Sequence, residues 1–153
     1  MKEAKSQAKV GVGIEALWTV FSEHLSFVLP NLVLNVDVLE GNGELGTVYL
    51  LNFGSDKSRL RYQKEKVAVF EESVQKFGLQ VIEGGNLNHG FSSYTTIFQL
   101  TSTQGESESE TLVDIKVVCE TTADAEETHL PEETTKSALA FIKRLEEYLC
   151  PIK

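Results

Sequence analysis

Two polar residues lie two positions apart in a stretch that otherwise alternates polar with apolar side chains. Gln63 and Glu65 are followed at the same spacing by Val67 and Val69. Because successive side chains of a strand point to opposite faces, these four residues share one face if the stretch is a strand. The other face then carries Tyr62, Lys64, Lys66, Ala68 and Phe70.

The two valines indicate that the face of Gln63 and Glu65 is the buried one. A buried carboxylate without a partner is costly, so such a group is usually paired or functional. It can anchor a ligand or transfer a proton, and a neighbouring carboxamide can both donate and accept hydrogen bonds. The alternative is an ordinary surface glutamate near the end of a strand.

The elements that must position these side chains are mostly strands. Residues 15–21 and 25–29 have the apolar spacing of two short helices. Glycine-rich or polar breaks separate the strands that follow. The candidate strands are residues 4–12, 35–40, 47–53, 60–70, 74–82, 91–101 and 111–121.

A long helix is predicted at the end of the chain, preceded by Pro131 and with Glu132 and Glu133 in its first turn. Helical spacing places Thr134, Ala138, Phe141, Leu145 and Tyr148 on one stripe, which Leu139, Ile142 and Leu149 widen. The short connections favour an antiparallel sheet of about seven strands. We therefore predict a single α+β domain over residues 1–153, in which a curved sheet wraps around this helix.

The inner face of this sheet is predicted to be partly polar. Alternation directs three sets of residues towards the helix. They are Phe77, Leu79 and Val81; Val113, Ile115, Val117, Cys119 and Thr121; and Ser92, Tyr94, Thr96, Phe98 and Leu100. Ser92, Thr96, Gln63 and Glu65 would be unusual in a tightly packed core but suit a hollow interior. A polar core bridged by water gives the same pattern.

Composition excludes several classes of function. The chain has 153 residues and a formal net charge of -9, which disfavours binding to nucleic acid or anionic membranes. No signal-like apolar segment follows Met1, no apolar run is long enough to cross a membrane, and two cysteines do not make a disulfide framework. We therefore expect a cytoplasmic protein.

Motifs for cofactors and metals are weak. Residues 41–46 (GNGELG) have the spacing of a dinucleotide-binding loop, but the next segment has the pattern of a strand and not of the required helix. His24, His89 and His129 have no metal-ligand spacing. No serine lies in a recognisable nucleophile motif. The sequence predicts no metal and no cofactor.

The order of elements resembles that of a known plant family, as do residues 40–47 (EGNGELGT) and 82–85 (IEGG). This is the birch-pollen-allergen family, also called pathogenesis-related class ten, with its major-latex-protein relatives. The resemblance extends from Leu17 to Leu149, although Glu44 replaces the usual second glycine of a pair. It implies a START-like helix-grip fold: a seven-stranded sheet around a long helix, two short helices in a V, and a large internal cavity.

Within that family the chain is most similar to the phytohormone-binding, cytokinin-specific branch, through residues 15–18, 62–65 and 78–85. The resemblance implies that Gln63 and Glu65 hydrogen-bond a hormone inside the cavity. Two polar helix positions of that branch correspond to Ala138 and Phe141. Their lost hydroxyl groups suggest a more apolar or differently shaped ligand.

Norcoclaurine synthases share this fold and provide the competing hypothesis. They resemble the chain through the Glu-Gly-Gly turn, and they use a cavity lysine, tyrosine, glutamate and aspartate. The matching positions are Phe77, Gln63, Glu65 and Thr96, so only the glutamate is retained. Another reaction, such as an isomerisation with Glu65 as the base, remains open.

The sequence thus predicts a binding protein for a plant hormone or secondary metabolite, acting as a monomer or weak dimer. If the protein is an enzyme, Glu65 is its one catalytic candidate. A filled-cavity stress or storage protein is a third class. The predicted ligand-binding residues are Phe21, Gln63, Glu65, Phe77, Leu79, Tyr94, Thr96, Val117, Ala138 and Phe141.

Overall fold

The computed structural model describes residues 2–31, 35–52, 62–88, 90–102, 110–122 and 130–149. Within these ranges seven strands form one antiparallel sheet in the order β1-β7-β6-β5-β4-β3-β2. The strands are β1 Lys2–Val10, β2 Asn35–Glu40, β3 Val48–Asn52, β4 Tyr62–Glu71, β5 Lys76–Gly84, β6 Phe91–Ser102 and β7 Thr111–Thr121. The predicted fold class and sheet are confirmed, and the segment after residues 41–46 forms strand β3 and not a nucleotide-binding helix.

Two short helices follow β1 and are joined by a π-helical turn. They are α1 Ile14–Thr19 and α2 Leu25–Val28, and the turn is Val20–His24. Their buried side chains include Leu17, Trp18, Phe21 and Leu25, which face the core of the protein. Short 3-10 turns at Leu29–Asn31, Glu72–Val74 and Gly85–Asn88 complete the connections.

The long helix α3, Leu130–Leu149, packs against β1 and β7. The predicted stripe is rotated slightly in the structure: Thr135, Ala138, Ile142 and Leu145 are buried, whereas Tyr148 is 43% exposed. The side chain of Thr134 lies outside the described part. Two hydrogen bonds tie the start of the chain to its later elements. The Gly11 N–H donates to Glu146 Oε2 (2.6 Å), and Thr111 Oγ1 donates to the Val12 carbonyl (2.6 Å).

A bulge in β4 changes which residues face the core. Val67 pairs with Leu79 but Val69 pairs with Gly78, so Ala68 is an extra residue on β4. Beyond it the alternation reverses: Phe70 pairs with Phe77 and its ring contacts the Trp18 ring on the inner side. The prediction that Val69 shares the inner face and Phe70 the outer face was therefore wrong.

A second register shift corrects the prediction for Ser92. Phe91 pairs with Thr121 and Ser93 with Glu120, which leaves Ser92 as the extra residue of a bulge. Its side chain is exposed and Phe91 is buried instead. The other inward residues of β5, β6 and β7 were predicted correctly.

The bulge in β4 depends on a glycine across the strand pair. A Cβ atom on Gly78 would lie 3.0 Å from Val69 Cβ and 3.2 Å from Ile97 Cγ1. We expect Gly78→Ala to lower the free energy of unfolding by about 1 kcal/mol, because the added methyl group overpacks this contact. Urea titration followed by circular dichroism measures the change.

Gly11→Ala is the matched control, because its Cβ would meet Glu146 Oε2 at an ordinary 3.4 Å. We expect it to alter the free energy of unfolding by less than about 0.5 kcal/mol. Equal urea midpoints for Gly78→Ala and the native protein would show that the bulge tolerates a larger residue.

Candidate functional site

The inner face of β4 carries the two polar residues singled out by the sequence. Glu65 pairs with Tyr49 on one neighbouring strand and with Val81 on the other. Gln63 pairs with Leu51, and all three of these apolar or aromatic neighbours are buried core residues. The prediction that Gln63, Glu65 and Val67 share the inner face is confirmed, and the surface alternative for Glu65 is excluded.

The carboxyl group of Glu65 is strongly perturbed. Burial raises its pKa from 4.5 to about 7, and a hydrogen bond from Gln63 opposes part of that rise. The side chain nevertheless keeps some accessible surface, unlike Val67 beside it, which is fully buried. A carboxyl group with a raised pKa on the inner face of a sheet is a candidate for a functional role.

Gln63 is held in place on two sides. It is 8% exposed, and its amide group bonds the Glu65 carboxylate. A Cβ atom on Gly85 would collide with Gln63 Oε1 and lie 2.7 Å from Cδ, so only glycine fits there. Gln63 Oε1 is buried and has no hydrogen-bond partner among the described residues. An unpaired buried acceptor of this kind is uncommon and is available to a donor from a ligand.

Four of the predicted site residues lie on the inner face of the next three strands: Leu79 on β5, Tyr94 and Thr96 on β6, and Val117 on β7. Leu79, Tyr94 and Val117 are buried, with 7%, 6% and 0% exposure. Thr96 is partly buried and pairs with both Leu79 and Val117. These residues form a mainly apolar floor with two hydroxyl groups, those of Tyr94 and Thr96, as the alternation predicts.

Phe21 and Phe77 lie elsewhere, although the sequence analysis grouped them with the same site. Their rings contact each other at 5.4 Å between centroids, and Phe21 also contacts Phe98 at 5.3 Å. On α3, Ala138 is buried and Phe141 is partly buried, with its ring 5.8 Å from that of Phe98. These aromatic residues pack against one another, two pairing positions along the sheet from Glu65.

The predicted ligand-binding set lacks three residues that shape the site, although Val81 was predicted to face inward. Tyr49 and Val81 flank Glu65, and burial raises the pKa of the Tyr49 hydroxyl. Alternation in residues 48–52, which buries Tyr49 with Leu51, was the available signal for the tyrosine. Gly85 gave only a turn signal, because the close approach of Gln63 cannot be inferred from the sequence.

Among the described residues, the side chains of the site offer hydrogen bonds and, at Glu65, exchange of a proton. Within the described residues no group of three His, Cys, Asp or Glu side chains could hold a metal ion. His89 and His129 lie outside those residues. Phe77 and Thr96 supply neither an amine nor a second acid. The described helices also include none long and apolar enough to span a membrane.

A separate depression of about 280 Å³ lies against β1, β5, β6 and β7. It is lined by Lys5, Ser6, Lys76, Ile97, Gln99, Asp114, Ile115 and Lys116. It does not include Glu65 or Gln63, so it is not the predicted internal cavity. That cavity stays a prediction.

Comparison with curated proteins finds relatives that include both allergens and enzymes. The chain is 33% identical over 125 residues to Allergen Pet c 1 of Petroselinum crispum, covering 80% of this chain and 78% of that protein. It is 28% identical over 93 residues to norbelladine synthase of Narcissus pseudonarcissus, covering 58% of this chain and 57% of that protein. The aligned segment therefore spans little more than half of the synthase.

Solved structures of other proteins have the same fold as this chain. A truncated norcoclaurine synthase from Thalictrum flavum superposes with a TM-score of 0.82 and 21% identity, covering 99% of this chain and 95% of that chain. Another structure of that synthase, in complex with dopamine and hydroxybenzaldehyde, has a TM-score of 0.67 and 20% identity over 92% and 85% of the two chains. The sequence model of the pathogenesis-related protein Bet v 1 family matches residues 15–151, and the chain belongs to that family.

Proposed function

We propose that this protein binds small, largely apolar plant molecules between the sheet and α3, with Gln63 and Glu65 as polar anchors. Plant hormones such as cytokinins or gibberellins are the leading class of ligand. The family fold is a ligand-binding fold, and a related structure holds small aromatic molecules. A pocket of this kind supports micromolar affinity, about 8 kcal/mol.

The observation that supports this proposal best is the pair of polar groups on the inner face. Gln63 Oε1 is a buried acceptor without a partner among the described residues, and the Glu65 carboxyl beside it is desolvated but accessible. Leaving such groups unpaired costs about 1–3 kcal/mol each. A ligand with neighbouring N–H or O–H donors would remove that cost, and the apolar floor would hold its rings.

The chemistry of α3 refines the class of ligand. The resemblance to the cytokinin-specific branch implies polar helix residues at the positions of Ala138 and Phe141, so α3 of this chain adds no hydroxyl group there. The ligand therefore meets polar groups on the β4 side and apolar groups on the helix side. A molecule with donors at one end and a hydrocarbon body fits this division.

A catalytic function is the second candidate, and two observations favour it. The relatives include norbelladine synthase, and the aligned norcoclaurine synthase is also an enzyme by name. The Glu65 pKa of about 7 matches what a general acid or base needs near neutral pH. With Phe77 and Thr96 in place of an amine and an acid, the reaction would rest on Glu65 alone.

We propose that residues 1–153 form one domain. The protein would act in the cytoplasm as a monomer or weak dimer. The formal net charge of -9 supports the absence of nucleic-acid and membrane partners. No cofactor enters the proposed binding function, because hydrogen bonds and apolar contacts suffice for it.

Removal of the carboxyl group tests the anchor. We expect Glu65→Ala to weaken binding of the tightest ligand among cytokinins and gibberellins by at least about tenfold, because a hydrogen bond to a charged or desolvated group is lost. Isothermal titration calorimetry measures the affinity. The control is Glu83→Ala, which removes an exposed glutamate that pairs with Lys64 (3.3 Å) on the outer face.

Two outcomes would change this assignment. Unchanged affinity in Glu65→Ala would remove the polar anchor. Product formation from the bound ligand that disappears in Glu65→Gln, while binding remains, would establish the catalytic alternative in its place.

The pKa of Glu65 predicts how stability depends on pH. Between pH 4.5 and about 7 the folded protein keeps a proton that the unfolded chain releases, so the free energy of unfolding falls as pH rises. We expect Glu65→Gln to match the native protein below pH 4.5. Above about pH 7 it should be more stable by about 2 kcal/mol, less than the full linkage value because the side chain is partly accessible.

Thermal unfolding from pH 4 to pH 8 measures this difference. Glu83→Gln serves as the control, because its side chain is exposed on the outer face and should leave the native pH profile unchanged. A constant difference in Tm between Glu65→Gln and the native protein across this range would contradict the raised pKa.

The position of Gln63 can be tested through its glycine neighbour. Gly85→Ala places a methyl group against the Gln63 carboxamide. It also forces alanine into the left-handed backbone conformation of this position, where φ is 52°. We expect the variant to lose about 1 kcal/mol of stability from the backbone and also to bind the ligand about tenfold more weakly.

Gly46→Ala is the matched control, because φ is 93° there and a Cβ would have no atom within 4 Å. It should lose stability but keep its affinity, which separates backbone strain from displacement of Gln63. Equal affinities for both variants and the native protein would show that Gln63 does not contact the ligand.

A further inference from the structure

Three phenylalanines lie side by side across the inner face of the sheet. Phe70 on β4 pairs with Phe77 on β5, which pairs with Phe98 on β6. The row continues with Ile115 on β7 and Ser6 on β1. The bulge at Ala68 creates this arrangement, because it turns Phe70 inward.

Aromatic side chains from the helices pack onto this row. The Trp18 ring lies 5.7 Å from that of Phe70, and the Phe21 ring lies 5.4 Å from Phe77 and 5.3 Å from Phe98. From α3, Phe141 lies 5.8 Å from Phe98. These spacings are those of rings in direct contact. The six residues, which we call the aromatic wall, are Trp18, Phe21, Phe70, Phe77, Phe98 and Phe141.

The aromatic wall joins the sheet to both helical elements above it. Its central members are almost fully buried, with Phe21 at 1%, Phe77 at 0% and Phe98 at 3% exposure. Close-packed rings leave no passage between them. A ligand near Glu65 therefore cannot extend past this wall without displacing a ring.

The distance from the wall to Glu65 follows from the register of β5. Phe77 belongs to the wall, and Val81, which pairs with Glu65, lies four residues further on. Four residues of strand span roughly 13 Å. A ligand that hydrogen-bonds Glu65 therefore meets the wall after a length of this order.

The direction of α3 places its smallest buried side chain over this interval. Phe141 meets the wall, and Glu146 reaches Gly11, which follows the end of β1 that lies away from Glu65. Residues before Phe141 therefore lie on the Glu65 side. Ala138 is three residues earlier, about 4.5 Å along the axis, and it is buried. Its methyl group leaves room that a larger side chain would fill.

We propose that the aromatic wall sets an upper limit on ligand length, so that the site accepts flat one-ring or two-ring molecules with hydrogen-bond donors and a short substituent. Steroid-sized ligands and long acyl chains would be excluded, and so would the tetracyclic gibberellins, which leaves cytokinins as the proposed hormone class that fits. Phe141, at the partly exposed edge of the wall, is the specificity-determining residue. This inference rests on the proposed binding function and adds a size limit to it.

The test uses adenines that carry an N6-alkyl chain of increasing length, from methyl through butyl to octyl. Calorimetry on the native protein should give an affinity at least about tenfold lower for the octyl than for the butyl compound. Phe141→Ala should restore octyl binding to within about threefold of butyl binding. The control Phe27→Ala removes a ring that is 72% exposed and outside the wall, and should keep the native preference.

Folding is checked by urea titration of each variant. Phe98→Leu provides a second variant that opens the wall while keeping an apolar side chain, and it should relax the length limit in the same direction. Equal native affinities for butyl and octyl compounds would overturn the size limit and leave the binding function intact. Binding of none of the adenines, of cytokinins or of gibberellins would overturn both.

Discussion

A carboxyl group held on the apolar inner face of the sheet is the constraint on which the site depends. Burial destabilises the charged form of Glu65, and its pKa is raised to about 7 for this reason. Gln63 offsets part of it through a hydrogen bond, and Gly85 provides the space in which Gln63 can lie. The polar pair is therefore stabilised from within the protein only in part, which leaves it able to gain from a ligand.

Much of this arrangement could be predicted from alternation in single strands. The inner positions of Gln63, Glu65 and Val67 follow from a period of two, as do the buried residues of β5 and β7. The errors at Phe70 and Ser92 have one physical cause. A bulge inserts one residue and reverses the faces beyond it, and its position depends on the partner strand. At the bulge in β4 the partner residue is Gly78, where a Cβ atom would lie 3.0 Å from Val69 Cβ. A pattern within one strand contains no information about that partner.

For the apolar residues, burial could be predicted from the sequence but mutual contacts could not. Their types identified Phe21, Phe77 and Phe141 as interior, and two of them are almost fully buried while the third packs against the core. Which of them meet each other was not predictable, because the contacts join segments more than forty residues apart in the chain. The aromatic wall thus emerges only from the register of three strands and the placement of two helices. The same holds for the rotation of α3 that buries Ile142 and exposes Tyr148.

The wall also bears on the choice between binding and catalysis. Phe77 occupies the position at which the resemblance to norcoclaurine synthases implies a lysine, and its ring is fully buried between Phe21 and Phe70. A side chain at this position cannot reach a reacting group while the wall is intact. Any reaction here would need Glu65 to act without an amine partner, on a substrate confined to its side of the wall. Binding requires only the pairing of donors with two acceptors, and the described side chains provide both of them.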